Sequence, residues 1–364
     1  MTMPSLRAMI RGLAAASLVL LASAAQATQP TGVLTLGPAD SPNVLVVHST
    51  NSLDVFRPVL EDFARVHPTV GVEYAEWSAQ ELYDQAVANG ADQSRKAGPD
   101  LIISSAMDLQ TKLANDGLAQ PHASPEARAL PQGANWRDEV FGVDTDAVVM
   151  VYNTRKLDAS RVPRTRRALL SLLQAADRPL AGRVATYDVT ASASGYLAAT
   201  QDMRLDSMAA ALVAALGHNN VSLYASSDEG LDRLARGDVS LAYNMLESYT
   251  RHRIDEGAPL AIVYPQDYTL TLSRAALIPR QAPRPDLGGL MLDYLLSPRG
   301  QQAQARARQS GAHPADPAQA RMAGVRPLPL DVGLLVYQDA QKKRHFLDVW
   351  QAARCDASLG CEGR

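Results

Sequence analysis

The chain has 364 residues, of which 46% are hydrophobic and 20% are charged, and its formal net charge is −3. This length exceeds the size at which a single hydrophobic core usually stops growing, so it predicts two domains. The slightly acidic balance of 35 basic and 38 acidic residues argues against a nucleic acid as the partner.

Residues 1–27 have the features of a secretory signal peptide. Arg7 and Arg11 precede an uninterrupted apolar and small-residue stretch from Gly12 to Ala25. Ala25-Gln26-Ala27 then provides an A-x-A cleavage site. The stretch of about 14 residues is shorter than the roughly 20 that a membrane-spanning helix needs, which argues against an uncleaved anchor. We therefore expect cleavage after Ala27 and a mature protein in the periplasm.

The next part of the chain alternates short apolar runs with amphipathic ones. Apolar, β-branched runs predict buried strands, and apolar residues repeated every three to four positions predict helices packed on them. The predicted strands are 43–48, 70–74 and 99–104, and the predicted helices are 55–66, 78–88 and 107–115. Strands that alternate with helices predict an α/β domain with a parallel sheet.

Polar residues stand at the ends of two of these strands. Ser49, Thr50 and Asn51 follow the first strand, and Ser104 and Ser105 end the third. Because ligands bind at the carboxyl ends of the strands in such sheets, we expect these side chains to face one crevice.

Two long apolar runs divide the rest of the chain. The runs Val148–Tyr152 and Thr269–Ala276 bracket a second α/β segment, and we interpret them as strands that cross between two lobes. Residues 43–147 and 270–364 are expected to form the first lobe, which a terminal helix at 338–353 completes. Residues 150–268 are expected to form the second lobe.

The loop 188–195 lies between a predicted strand and a predicted helix and is rich in hydroxyl groups. Free N–H groups at a helix start, with Thr190, Ser192, Ser194 and the Gly195 backbone beside them, suit a carboxylate or a phosphate. The alternative is that one of these residues simply caps the helix, which needs no ligand.

A second junction of this kind begins at Tyr243 and Asn244. A tyrosine and an amide at the end of a strand suit hydrogen bonding or stacking with an organic solute. In the alternative interpretation Asn244 caps the next helix and Tyr249 is a packed aromatic residue.

Signatures of enzymes are missing from the sequence. It contains no G-x-S-x-G, H-E-x-x-H, Walker or G-x-G-x-x-G motif, and its seven histidines show no metal-ligand spacing. We therefore expect no catalytic residue, no metal and no cofactor. A hydrolase with a serine and a distant histidine remains the alternative from another functional class.

Several segments resemble the extracellular solute-binding proteins of ABC importers. They are VVHST at 46–50, PDLIISS at 99–105, VMVYN at 149–153 and LDYLLSPRGQ at 292–301. The similarity is to the ferric-iron-binding and phosphoglycerate-regulatory branch. It implies an α/β, two-lobed periplasmic-binding-protein type II fold, in which each lobe has a mixed, mostly parallel sheet with flanking helices and two strands cross over.

The resemblance also implies a function. A monomeric ligand trap without catalysis would capture a small polar or anionic solute between the lobes and present it to the membrane permease of an ABC importer. The tail Gly333–Leu347 is similar to relatives that serve as sensors for membrane histidine kinases, which is the alternative role.

Ferric iron fits this sequence less well. The iron-binding members carry two adjacent tyrosines where this chain has Tyr243 followed by Asn244, and the next tyrosine is Tyr249. A helix would turn Tyr243 and Tyr249 to different faces.

The only two cysteines, Cys355 and Cys361, are predicted to form a disulfide, because the seven residues from one to the other can close a turn and the expected compartment is oxidising. Free thiols are the alternative, and a zinc site would need further ligands. Mass measurement with alkylation before and after reduction checks this. Two alkylated thiols without reduction would contradict it.

Overall fold

The computed structural model describes residues 29–38, 40–91, 98–308 and 324–354. The proposed signal peptide and both cysteines lie outside these ranges. Among the described residues, no helix is both long enough and apolar enough to cross a membrane.

The described chain consists of strands and helices that alternate along most of its length. The strands are β1 (Gly32–Leu36), β2 (Val44–Ser49), β3 (Gly71–Glu76), β4 (Leu101–Ser104), β5 (Ala119–Gln120), β6 (Asn135–Trp136), β7 (Val140–Asn153), β8 (Val184–Tyr187), β9 (Ser222–Tyr224), β10 (Leu241–Leu246), β11 (Leu260–Val263), β12 (Thr269–Pro279) and β13 (Val325–Pro327). The α-helices are α1 (Leu53–Val66), α2 (Ala79–Ala91), α3 (Met107–Asn115), α4 (Pro125–Arg128), α5 (Arg166–Leu173), α6 (Ala193–Leu205), α7 (Ala209–His218), α8 (Ser227–Arg236), α9 (Glu247–Asp255), α10 (Pro285–Leu296), α11 (Pro298–Arg308) and α12 (Ala340–Arg354). Short 3-10 helices span Ala159–Arg161 and Val332–Gln338.

The strands form a mixed sheet in the order β1-β3-β2-β4-β12-β7-β10-β8-β9. One parallel set is made by β2 with β3 and β4, and a second by β8 with β9 and β10. Between the two sets lie the long strands β7 and β12, which pair antiparallel with each other. The α/β class is thus confirmed, and the two long apolar runs predicted from the sequence form the strands that join the parallel sets.

The parallel strands are buried on both faces, which explains their continuous apolar sequences. In β4, Leu101, Ile102 and Ile103 are all inaccessible or nearly so, although successive side chains point to opposite faces. The helices on either side supply the covering surfaces, as Phe63 of α1 and Leu292 of α10 do for one face.

The terminal helix α12 packs against the middle segment of the chain. Phe346 and Trp350 lie one turn apart on α12 and are buried with Val189 and Tyr196, and the rings of Tyr196 and Phe346 meet edge-to-face at a centroid distance of 5.3 Å. This packing differs from the expectation that the last helix completes the first lobe. Apolar spacing identifies the buried face of a helix but not the surface that covers it.

A buried polar cluster joins α5, α6, β10 and the start of β12. The Nε of Arg166 donates to the Tyr243 hydroxyl at 2.8 Å and lies 3.2 Å from a carboxylate oxygen of Asp202. The hydroxyls of Tyr243 and Tyr268 each donate to Asp202 at 2.7 Å, and the Asn244 amide donates to it at 2.8 Å. Three hydrogen-bond donors and the Arg166 guanidinium therefore converge on one carboxylate that has almost no contact with solvent.

Replacing this carboxylate should destabilise the fold severely. We expect Asp202→Ala to lower the free energy of unfolding by about 3–5 kcal/mol, because it leaves the Arg166 guanidinium buried without its central partner. Chemical denaturation measures the change. The exposed Asp177 offers a matched control, for which the same substitution should cost less than about 0.5 kcal/mol. An equal loss of unfolding free energy in the two variants would contradict the conclusion that the cluster stabilises the fold.

Candidate functional site

A cleft of about 260 Å³ lies at the carboxyl ends of the parallel strands. Most of the residues that line it end or follow β2, β3 and β4 on one side and β8, β9 and β10 on the other. They include residues in the first turns of α2, α6, α8 and α9. The cleft therefore occupies the position at which open α/β sheets bind ligands.

Four of the residues proposed from the sequence line this cleft, namely Thr50, Ser105, Ser192 and Ser194. The hydroxyl oxygens of Ser105, after β4, and Ser194, in the first turn of α6, lie 2.9 Å apart. The backbone N–H of Ser105 donates to the Thr50 hydroxyl at 3.1 Å. The two parallel sets thus touch each other through hydroxyl groups at the cleft.

Three other proposed residues lie behind the cleft and are buried, namely Ser49, Asn51 and Ser104. The Ser49 hydroxyl accepts the N–H of Asn51 at 3.0 Å, and the Ser104 hydroxyl accepts the N–H of Ala106 at 3.1 Å. These bonds hold the turns that follow β2 and β4, and so position the neighbouring Thr50 and Ser105.

The loop 188–195 combines the two roles considered for it. Ser192 caps α6 by accepting the Gly195 N–H at 3.2 Å. Gly195 is buried, and a Cβ there would lie 2.2 Å from the Cβ of Tyr187, so only glycine fits.

The hydroxyl of Thr190 donates to Asp188 at 2.6 Å, and Thr190 lines a neighbouring cavity of about 100 Å³ rather than the cleft. The N–H groups of Ala193 and Ser194, in the first turn, have no intrahelical acceptor.

Tyr243 and Asn244 lie in the Asp202 cluster and do not line the cleft. Asn244 has a left-handed backbone conformation, with φ at 62°, a region that asparagine adopts more readily than most residues. Tyr249 does line the cleft, and its hydroxyl donates to the Thr50 carbonyl at 2.8 Å. The hydroxyls of Tyr243 and Tyr249 therefore donate to different acceptors, Asp202 and the Thr50 carbonyl.

Sequence reasoning missed two further strand-to-helix junctions that line the cleft. Glu76 ends β3 and Trp77 follows it, and Ser226, Ser227 and Asp228 follow β9. The rule that identified Thr50 and Ser105, a polar residue directly after a buried strand, applies equally to these positions. The strand β9 has only three residues, which is too short to give a clear sequence signal.

Among the described residues, the charged side chains that line the cleft are Glu76 and Asp228, both acidic. Burial raises the pKa of the Glu76 carboxyl, and the nearby Asp228 adds to the rise, while the N–H of Leu53 lowers it by donating to a carboxylate oxygen at 2.8 Å. Asp228 is accessible to solvent, yet desolvation by the surrounding protein raises its pKa, against the opposite effect of Arg253.

A second buried cluster supports the floor of the cleft. An Nη of Arg274 on β12 donates to Asp146 on β7 at 2.9 Å, and the other Nη donates to the side-chain oxygen of Asn51. The backbone N–H of Ser248 also donates to Asp146, at 3.0 Å. The Arg274 guanidinium lies 5.5 Å from the ring centroid of Tyr249. The cluster thereby fixes both β2 and α9 to the two long strands.

The sequence model of a family described as bacterial extracellular solute-binding protein matches residues 44–307. No curated protein matches the chain. Among solved structures, the substrate-binding protein of an ABC transporter from Agrobacterium tumefaciens is 31% identical, with a TM-score of 0.80 over 89% of this chain and 98% of that one.

Two more distant structures share the fold. Iron-bound HitA from Pseudomonas aeruginosa is 17% identical, with a TM-score of 0.66 over 86% of this chain and 99% of HitA. AfuA from Actinobacillus pleuropneumoniae, with fructose-6-phosphate bound, is 18% identical, with a TM-score of 0.68 over 88% of this chain and 100% of AfuA. The chain therefore belongs to the bacterial extracellular solute-binding proteins and has their two-lobed type II fold.

Proposed function

We propose that the protein is a periplasmic solute-binding protein that captures a small polar solute in the cleft and presents it to the permease of an ABC importer, without catalysis of its own. The observation that carries this proposal is the meeting of Ser105 and Ser194 at 2.9 Å across the cleft. Hydroxyls from two separate parallel sets can enclose a solute from opposite sides.

The proposed lobes correspond to the two parallel sets. Residues 43–147, with the segment from 270 to the start of α12, would form the first, and residues 150–268 the second. The contacts of α12 with Tyr196 and Val189 lead us to assign that helix to the second lobe. Opening and closing about β7 and β12 would couple ligand binding to a form that the membrane partner recognises.

The cleft suits an organic solute better than a bare ferric ion. Tyr243 and Tyr249, the candidates for phenolate ligands, donate their hydroxyl protons to separate acceptors, Asp202 and the Thr50 carbonyl. The start of α6 offers the N–H groups of Ala193 and Ser194 to a carboxylate or phosphate group of the solute. HitA and AfuA share the fold, and at 17% and 18% identity their ligands do not carry over to this chain.

Removing both hydroxyls that meet across the cleft should weaken binding. Mass spectrometry of the solute that co-purifies from the periplasm identifies the ligand, and calorimetry then compares variants. We expect Ser105→Ala with Ser194→Ala to raise the Kd about tenfold or more, because each hydrogen bond to a charged group contributes about 1.5–3 kcal/mol.

The matched control for this experiment is Ser171→Ala, since Ser171 is an exposed serine that does not line the cleft. It should change the stability of the unliganded protein by less than about 0.5 kcal/mol and leave the Kd unchanged. An unchanged Kd in the double variant would place the ligand elsewhere.

Delivery to an importer has its own test. Deleting the gene should abolish uptake of the radiolabelled solute by intact cells, and restoring the wild-type chain should recover this uptake. The chain with Ser105→Ala and Ser194→Ala should recover uptake only at raised solute concentration. Normal uptake in the deletion strain, together with loss of solute-induced transcription, would instead support the role as a sensor for a histidine kinase.

A further inference from the structure

The cleft has a one-sided distribution of charge. Of the described residues that line it, the two with a formal charge are Glu76 and Asp228, and the others are hydroxyl, amide, aromatic or aliphatic residues. A solute with only negative groups would meet two carboxylates and no cationic side chain in this lining. Helix N-termini could hold one anionic group, but another part of the solute has to lie near the acids.

The two carboxylates differ in whether they support the backbone of a helix start. An oxygen of Glu76 accepts the Leu53 N–H at 2.8 Å and so supports the start of α1. Asp228 stands in the first turn of α8, where the cap is already supplied by Ser226, whose hydroxyl accepts the Glu229 N–H at 3.2 Å. Its carboxylate is therefore not needed to cap the helix. Although Arg253 is close enough to lower its pKa, Asp228 lines the cleft and can accept a hydrogen bond from a group inside it.

Aromatic rings lie in the same lining. Trp77 follows Glu76 directly, and its ring centroid lies 5.7 Å from that of His48, with the two ring planes tilted by 42°. Tyr249 also lines the cleft, and its hydroxyl is held by the Thr50 carbonyl. Organic ammonium groups bind favourably to the faces of tryptophan and tyrosine, and the attraction grows when water is excluded.

From this combination we infer that the solute carries an amino group, protonated at neutral pH, which binds between Asp228 and Glu76 beside Trp77. The inference rests on the proposed function and narrows its ligand class to amine-bearing solutes. A carboxylate or phosphate at the other end of the same solute would bind at the start of α6. A zwitterion therefore has a binding partner for both its positive and its negative group in the cleft.

A divalent cation is a poorer occupant of this position. Calcium takes six to eight oxygen ligands, whereas one oxygen of Glu76 is engaged by a backbone N–H and an indole ring lies next to it. An ammonium group needs fewer partners, since it donates three hydrogen bonds and also interacts with aromatic faces.

The test compares solutes that differ only in an amino group. Isothermal titration calorimetry on the mature protein, stripped of bound solute by unfolding and refolding, would use 4-aminobutyrate against butyrate, 2-aminoethylphosphonate against ethylphosphonate, and glucosamine 6-phosphate against glucose 6-phosphate. The solute released during unfolding is identified by mass spectrometry and titrated back. At least one amine should bind about tenfold or more tightly than its amine-free partner.

Asp228→Asn should bring this ratio close to one, and Asp54→Asn serves as the matched control. Asp54 is an exposed acid in the first turn of α1 that affects the pKa of both Glu76 and Asp228 but does not line the cleft. The control should keep the ratio, which separates direct contact from the general effect of a lost charge. If Asp228 acted only by stabilising the start of α8, Asp228→Asn would weaken the binding of all probes equally.

Three outcomes would overturn the inference. They are equal binding of amine-free and amine-bearing probes, binding of calcium that Asp228→Asn abolishes, and failure of every amine to bind. If the released solute binds again but has no amino group, the inference fails and the proposed function stands. If no solute is released and no probe binds, the proposed function fails as well.

Discussion

The buried ion pair between Arg274 and Asp146 is the contact on which the geometry of the cleft depends. It joins the two long strands β7 and β12 at their centre, and the same guanidinium also holds Asn51 of the turn after β2. A charge in this environment is costly unless every donor has a partner. The arrangement therefore tolerates little displacement, and it places Thr50 and Tyr249 at fixed positions in the floor of the cleft.

The turns at the strand ends form the proposed binding surface on this fixed frame. Buried hydroxyls of Ser49 and Ser104 bind backbone N–H groups two residues further along, which turns the next hydroxyl, of Thr50 or Ser105, into the cleft. On the opposite side, Ser192 caps α6 and also lines the cleft, together with Ser194. After β2 and β4 one residue therefore supports the backbone and the next lines the cleft, whereas Ser192 does both.

The chemistry of the cleft follows from what these turns leave exposed. Hydroxyls and helix N-termini supply donors, and Glu76 and Asp228 supply negative charge close to aromatic rings. Water weakens each of these interactions, so enclosure by two lobes strengthens all of them together. This is a physical reason for a solute-binding protein to place its ligand between lobes rather than on an open surface.

The sequence by itself determined the α/β class, the two long joining strands and the strand ends at which the cleft forms, because these follow from local periodicity and from β-branched runs. It could not decide which hydroxyl of a pair such as Ser49 and Thr50 reaches the cleft. It also could not place Tyr243 and Asn244, since their partner Asp202 is about 40 residues away in the chain, or the surface that covers α12. Those outcomes depend on contacts between distant segments, which the tertiary structure alone brings together and which local sequence pattern does not encode.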